Sequence, residues 1–238
     1  MATSLLRGRW LVGHVLVAGF TVLFVVLGFW QLGRHFDQKD ANLVVEARMA
    51  AAPVSLRLPV ESPGDLELRQ ARVRGHYDYG AQLELRPRAQ GGRVGYDQVV
   101  PLLVPDGIIL VNRGFIADSS GSARQQAPSS VELELVGTVR LSQGTSRFGP
   151  QNPEEGELDT IVRMDLDRLE EQFGGQLYPV YLDLAEEQPE AGGLPTVLPI
   201  PPEPTSRPHL PYALQWWAFA SVVSIGWALY LRKQFFTS

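Results

Sequence analysis

Two unbroken apolar runs lie near the ends of the chain, and an alternating pattern fills the space between them. Residues 11 to 30, LVGHVLVAGFTVLFVVLGFW, contain no formally charged side chain apart from the titratable His14. A helix of about 20 such residues spans the roughly 30 Å hydrocarbon core of a bilayer. Trp10 and Trp30 bracket this run as interfacial rings do. The second run, YALQWWAFASVVSIGWALYL from Tyr212 to Leu231, is of similar length and stops at Arg232 and Lys233. In it Ala220, Ser224 and Ala228 recur at every fourth position, a stripe along which another helix can approach, although small residues are also simply frequent in membrane helices. QLGRHF after Trp30 offers no small-residue cleavage site, so the first run reads as an uncleaved anchor rather than a signal peptide.

Between the runs the period changes to two. RQARVRGHY (residues 69 to 77) and QLELRPR both alternate as half-buried strands do. YDQVVPLLV and IILVNRGFI flank Pro105-Asp106-Gly107, a hairpin signal because proline presets one turn dihedral and glycine accepts a positive one. VELELVGTVRL, Val131 to Leu141, alternates again. A helix is predicted from Asp165 to Phe173: Asp165 caps it, Leu166, Leu169 and Phe173 share a face, and Gly174-Gly175 stop it. Further helix continues from the first span through DQKDANLVVEARM. Eight prolines between Pro189 and Pro211 exclude helix and central strand there and predict an extended return segment. The expected fold class is a membrane protein, two transmembrane helices flanking an α+β, mainly antiparallel-β extracytoplasmic domain. Its divisions are residues 1–10 (cytoplasmic), 11–32 (span), 33–188 (outer domain), 189–211 (return segment), 212–231 (span) and 232–238 (cytoplasmic).

Charge sets the orientation. All 26 acidic residues lie between the runs, while Arg7, Arg9, Arg232 and Lys233 sit on the short flanks, so both termini are expected in the cytoplasm. The outer domain then faces a periplasm-like compartment, and a bacterial cytoplasmic membrane is the expected location. MATSLLRGR is shorter than an Arg- and Ser-rich mitochondrial leader. A net charge of −5 gives no reason to expect nucleic acid. With no cysteine, thiolate catalysis, zinc-thiolate sites and Cys-pair copper delivery are excluded, and the domain relies on its core alone. No Gly-x-Ser-x-Gly, His-Glu-x-x-His or phosphate loop is present, and the acids of EEGELD (154 to 159) read as a solvated loop, so no enzyme is expected.

Four segments together resemble the Surfeit locus protein 1 family: LGFWQLGRHFDQK after the first span, GYDQVVPLLVPDGIILVNRGFI, VELELVGTVR, and HLPYALQWWAFA leading into the second span. The chain departs from the family pattern at Phe115, where tryptophan is usual, at Trp217, where phenylalanine is usual, and at Arg207-Pro208 before the histidine. The resemblance implies an assembly factor or accessory subunit of haem-copper cytochrome c oxidase that assists haem a insertion into subunit I. It implies haem a as a transient cofactor and subunit I, other respiratory-chain subunits, haem a synthase and membrane lipid as partners. A membrane-anchored scaffold or sensor with a protein-binding outer domain and no cofactor is the alternative.

His209 matches the family histidine implicated in haem binding and is the candidate iron ligand. Pro208 and Pro211 predict an extended lead-in with the helix starting near Pro211, leaving the N–H groups of Tyr212 and Ala213 free. Such a terminus suits a neutral, ligating imidazole with a haem propionate nearby. Tyr212 thereby joins the candidate site, and Trp216 and Trp217, one turn and a half further along, are placed to cover a porphyrin face. An interfacial His-Tyr-Trp belt needing no cofactor fits the same residues. Chemistry alone favours the belt, and the resemblance brings the two level. Arg34 and Arg113 are candidates for propionate pairing, with snorkelling at the interface and closing a turn as their commoner roles. His35 is a candidate second ligand if the spans are neighbours, His14 belongs to the opposite membrane face, and His76 reads as solvated.

Overall fold

A computed structural model describes residues 8–120, 131–145, 149–174, 177–189 and 208–236. Arg7, Gly175 and nearly all of the expected return segment 189–211 lie outside the described residues. In chain order the elements are α1 (Gly8–Ala50), β1 (Val54–Ser55), α2 (Pro63–Leu66), β2 (Gln70–Tyr77), β3 (Leu83–Gln90), β4 (Arg93–Val104), β5 (Gly107–Ala117), β6 (Leu133–Leu141), β7 (Thr160–Ile161), α3 (Leu166–Phe173), β8 (Val180–Gln188) and α4 (His209–Phe236). The chain divides into a helix unit, Met1–Val44 with Pro204–Ser238, and a sheet unit, Val45–Glu203.

In the helix unit α1 and α4 run antiparallel, since early positions of one meet late positions of the other. Trp10 meets Tyr230, His14 meets Trp227, Phe24 meets Trp216 and Phe29 meets Trp217. Two glycines seat the indoles: a Cβ at Gly13 would stand 2.6 Å from the Trp227 ring, and one at Gly28 would overlap Trp217. Ala220 is buried and the Ser224 hydroxyl lies 2.9 Å from that of Thr21, whereas Ala228, the third member of the small-residue stripe, is exposed. Both helices are long and apolar enough to cross a membrane. The helix start differs from expectation. α4 begins at His209 rather than near Pro211. Pro211 therefore occupies the third position of the first turn, where its missing N–H leaves no intrahelical bond unmade.

The sheet unit is built on a closed ring of strands. β2 pairs with β6, β6 with β8, β8 with β5, β5 with β4, and β4 returns to β2 through His76↔Leu103 and Tyr77↔Leu102. This is a five-stranded Greek-key barrel of the OB type. β3 continues the outer edge of β4 and carries β7, while β1 lies along β2. The ring is filled by inward positions of every strand: Ala71, Val73 and Tyr77, Val100 and Leu102, Ile109 and Val111, Leu133, Leu135 and Val139, and Val180, Leu182 and Leu184. A second core lies outside the ring, where Leu83, Leu85, Val99, Leu110 and Tyr181 pack with Ile161, Met164, Leu166 and Leu169.

The local signals explain most of these elements. The β4–β5 hairpin turns at Pro105-Asp106 with Val104 opposite Gly107, and the Asp106 carboxylate accepts the Leu58 N–H and the Tyr178 hydroxyl, each at 2.8 Å. The Asp165 side chain caps α3, and Gly174 ends it in the left-handed conformation at φ 79°. The expectation of a mainly antiparallel domain needs refinement. The sheet is mixed, with β1–β2, β3–β7 and β5–β8 parallel, and the β5–β8 pairing is an integral link of the ring. β8 bears an apolar alternation that the reading of the sequence passed over, and without it no parallel link is foreseen.

Gly75 sits at the seam where β2 meets β4, and a Cβ there would overlap the Leu103 carbonyl oxygen. Gly75→Ala should destabilise the sheet unit by about 1–3 kcal/mol, as overpacking does. Gly64→Ala, with nothing near the added carbon, should change stability by less than about 0.5 kcal/mol. Thermal unfolding of the two variants in detergent, followed by β-sheet circular dichroism, compares them. Equal midpoints would show that the seam yields.

Candidate functional site

The helix unit brings two of the four family-like segments together. His209, first residue of α4, lies with Nδ1 2.9 Å from Oε1 of Gln31 on α1. The imidazole is half-buried. Arg34 follows Gln31 by one turn, exposed and 3.7 Å from Asp37, so its guanidinium retains donors for a second anion. Tyr212, half-exposed, and Trp216 follow His209 at i+3 and i+7 on the same stripe of α4. Trp216 stacks on Phe24 with ring centroids 5.6 Å apart. His209, Tyr212, Trp216 and Arg34 thus share one unit and one pair of helix faces. Gln31 was overlooked in the sequence. The signal for it is an uncharged amide at the end of an apolar run, a polar group that seeks a partner on a neighbouring helix.

Arg113 belongs to the other unit and to a different task. Gln98 pairs with Gly114 and Val99 with Asn112, so Arg113 is the extra residue of a β-bulge. Gly114 supplies the φ of 122° that the bulge requires, and its N–H donates to Asn112 Oδ1 at 3.0 Å. Arg113 keeps the inward facing of Ile109 and Val111 and points into the ring, where it is 3% exposed. Its Nη2 donates to Glu187 Oε1 at 3.1 Å and its Nη1 to Gln98 Oε1 at 3.3 Å. Its guanidinium lies 5.1 Å from the centroid of Tyr77 and 5.6 Å from that of Tyr79. Burial pushes the Tyr77 phenol well above its ordinary value against the opposing Arg113 charge, so it remains a donor to Glu187. Arg113 is therefore neither a turn-closing residue nor an exposed partner for a propionate. Its neighbours Ile109 and Val111 already give Arg113 an inward facing, whereas its partner Glu187 turns inward only through the extra residue Ala185 of β8, which a period-two pattern does not show.

Outside the ring, Asp97, Asn112, Arg140, Tyr181 and Asp183 line a cleft of about 260 Å³ together with Arg88. Asn112 Nδ2 donates to Asp183 Oδ1 at 3.0 Å, Arg88 Nε to Asp97 Oδ2 at 3.0 Å, and Arg140 Nε stands 3.8 Å from Asp183 Oδ2. Burial raises both carboxyl groups above their ordinary values, opposed by Arg88 at Asp97 and by Arg140 at Asp183. Burial also pushes the Tyr181 phenol up to about 12. Two arginines offset two carboxylates, so the cleft has no charge preference. Among the described residues no group of three or more His, Asp or Glu is placed to hold a metal ion.

The profile of the SURF1 family matches residues 18–221, which include both Gln31 and His209. The chain belongs to the SURF1 family. An uncharacterised SURF1-like protein of Mycobacterium tuberculosis is 30% identical over 230 residues, covering 93% of this chain and 83% of the relative. Surfeit locus protein 1 of Rattus norvegicus is 29% identical over 222 residues, 84% of this chain and 70% of the relative. The Homo sapiens protein of the same name is 28% identical over 223 residues, 84% and 71% respectively. The four segments that carry the resemblance serve different ends in this SURF1 chain. The first and last meet at Gln31 and His209, while the middle two build the ring and its bulge.

Two outcomes test these assignments. Arg113→Met leaves Glu187 buried without its guanidinium and should cost about 3–5 kcal/mol, part of which a further Glu187→Leu change restores. An unaltered unfolding midpoint in Arg113→Met would return that arginine to the surface. At Asp183 the folded state holds the carboxyl proton more firmly than the unfolded chain does. Ionisation therefore lowers stability above the raised folded value, and that cost fades as the pH falls to the ordinary value of about 4. Asp183→Asn keeps an acceptor for Asn112, so it should raise the unfolding midpoint at pH 7 and lose this advantage near pH 4. A lower midpoint than wild type at pH 7 would mean that Arg140 outweighs burial.

Proposed function

We propose that this chain is an assembly factor or accessory subunit of haem-copper cytochrome c oxidase that assists haem a insertion into subunit I. In this reading α1 and α4 anchor it in a bacterial cytoplasmic membrane with both termini in the cytoplasm and the sheet unit outside. The observation that carries it is the contact between Gln31 and His209, which joins two family-like segments 178 residues apart in sequence at one point. Family membership and two membrane-length helices support the same reading.

Haem a is the cargo. The donor set suits it: His209 engages one ring nitrogen with Gln31 and retains the other for iron, Arg34 has guanidinium donors for a propionate, and Tyr212 and Trp216 offer ring faces along α4. Arg113, committed to Glu187, is left out of the set. The hydrocarbon surroundings of such a site favour a flat apolar macrocycle, while a charged edge remains near the interface. Subunit I would be the acceptor, and haem a synthase the donor.

Deletion should lower the a-type cytochrome band and oxidase turnover of membranes while b- and c-type bands persist, as reduced-minus-oxidised spectra measure. A normal a-type band in the deletion strain defeats the assembly reading. His209→Ala should insert normally yet lose bound haem, and His14→Ala should not. A wild-type protein free of haem when made in haem-a-producing cells favours the cofactor-free scaffold. Reporter fusions after Ser238 should be active only as cytoplasmic fusions, and activity restricted to the outside would reverse the topology.

A further inference from the structure

Two histidines contact α1–α4 partners in opposite chemical senses. At one end of the helix pair the Trp227 indole Nε1 lies 3.0 Å from His14 Nδ1. An indole nitrogen only donates, so a neutral His14 carries its proton on Nε2. At the other end His209 Nδ1 meets Oε1 of Gln31, a carbonyl oxygen that only accepts. A neutral His209 so bound carries its proton on Nδ1 and its lone pair on Nε2. The hydrogen bond at one ring nitrogen sets what the other can do.

We propose that Gln31 is a positioning residue for His209: it fixes the Nδ1–H tautomer and directs the Nε2 lone pair away from Gln31 toward a haem iron. This rests on the reading of His209 as a haem ligand and adds to it the residue that makes the imidazole competent. Ligating histidines commonly donate their second ring N–H to an acceptor that fixes tautomer and ring orientation and raises ligand basicity. Gln31 has the chemistry for this task, and the helix pair does not need it for cohesion. The Thr21–Ser224 and Trp227–His14 contacts and the indoles seated on Gly13 and Gly28 already join the two helices.

The test uses the full chain in lipid nanodiscs, free of haem, with 15N- and 13C-labelled histidine. His209→Ala and His14→Ala assign the signals. Nitrogen shifts of the neutral rings should show the Nδ1–H tautomer at His209 and the Nε2–H tautomer at His14. Gln31→Leu should shift His209 to the Nε2–H tautomer and weaken ferric protoporphyrin IX binding by about 10–100-fold, with His14 and the thermal midpoint unchanged. Gln31→Glu, which keeps an acceptor, should retain the tautomer and the affinity and raise the iron–histidine stretching frequency of the ferrous complex. A wild-type His209 protonated at Nε2 overturns the proposal, because the Gln31 amide would then donate. Loss of porphyrin binding in His209→Ala with unaltered binding in Gln31→Leu overturns the positioning role and leaves the haem reading standing. Unaltered binding in His209→Ala overturns both.

Discussion

A buried ion pair between β5 and β8 decides how the sheet unit is organised. β5 alternates without a break from Ile109 to Arg113, with Ile109 and Val111 inward and Leu110 outward, before the bulge shifts the register at Gly114. Asn112 thereby faces out to Asp183 while Arg113 faces in to Glu187, both partners on β8. Two successive side chains of β5 thus tie β8 to it by polar bonds, one on each surface of the ring. Only glycine accepts φ of 122° at the next position without strain, which accounts for Asn-Arg-Gly as a unit. The buried guanidinium then meets a carboxylate, an amide and two aromatic faces. Removing any one of these leaves charge in a medium that penalises it.

The helix unit obeys the same rule along two membrane-length helices. Polar side chains on membrane-length helices are costly when they face hydrocarbon, and His14, Thr21 and Gln31 of α1 each have a polar partner on α4. Packing supplies the remainder through indoles set on glycine. The bonds at the two ends have unequal consequences for the histidines, since one partner donates and the other accepts.

Much of this was legible in the residues. Alternation marks β2, β3 and β6, the Pro-Asp-Gly turn signal marks β4 and β5, and Asp165 with Gly174 marks both ends of α3, because cap, turn and period are local signals. The start of α4 was misplaced by two residues because Pro211 suits any position of a first turn, not the first alone. The ring closure was not legible, because β2 meets β4 through only two residue pairs and β5 meets β8 across a long crossover. Of the candidate residues, His209 and Arg34 are named by their motifs. Period two sets Arg113 inward with Ile109 and Val111, but its partner Glu187 faces it through the extra residue Ala185 of β8, and a bulge leaves no trace in a period-two pattern. Gln31 gained meaning only when its partner was placed beside it.

The position of β8 also governs the order in which the sheet can be completed. It lies between β5 and β6, yet it is the last of the described strands to leave the ribosome. Until residue 188 has been synthesised, β5 and β6 each present an unpaired edge, and the Arg113 guanidinium has no Glu187 to meet. The nascent chain therefore passes through a stage with two open edges and an unmatched cation, the kind of species that chaperones hold and proteases find. A truncation anywhere before β8 would be expected to leave the chain at that stage permanently.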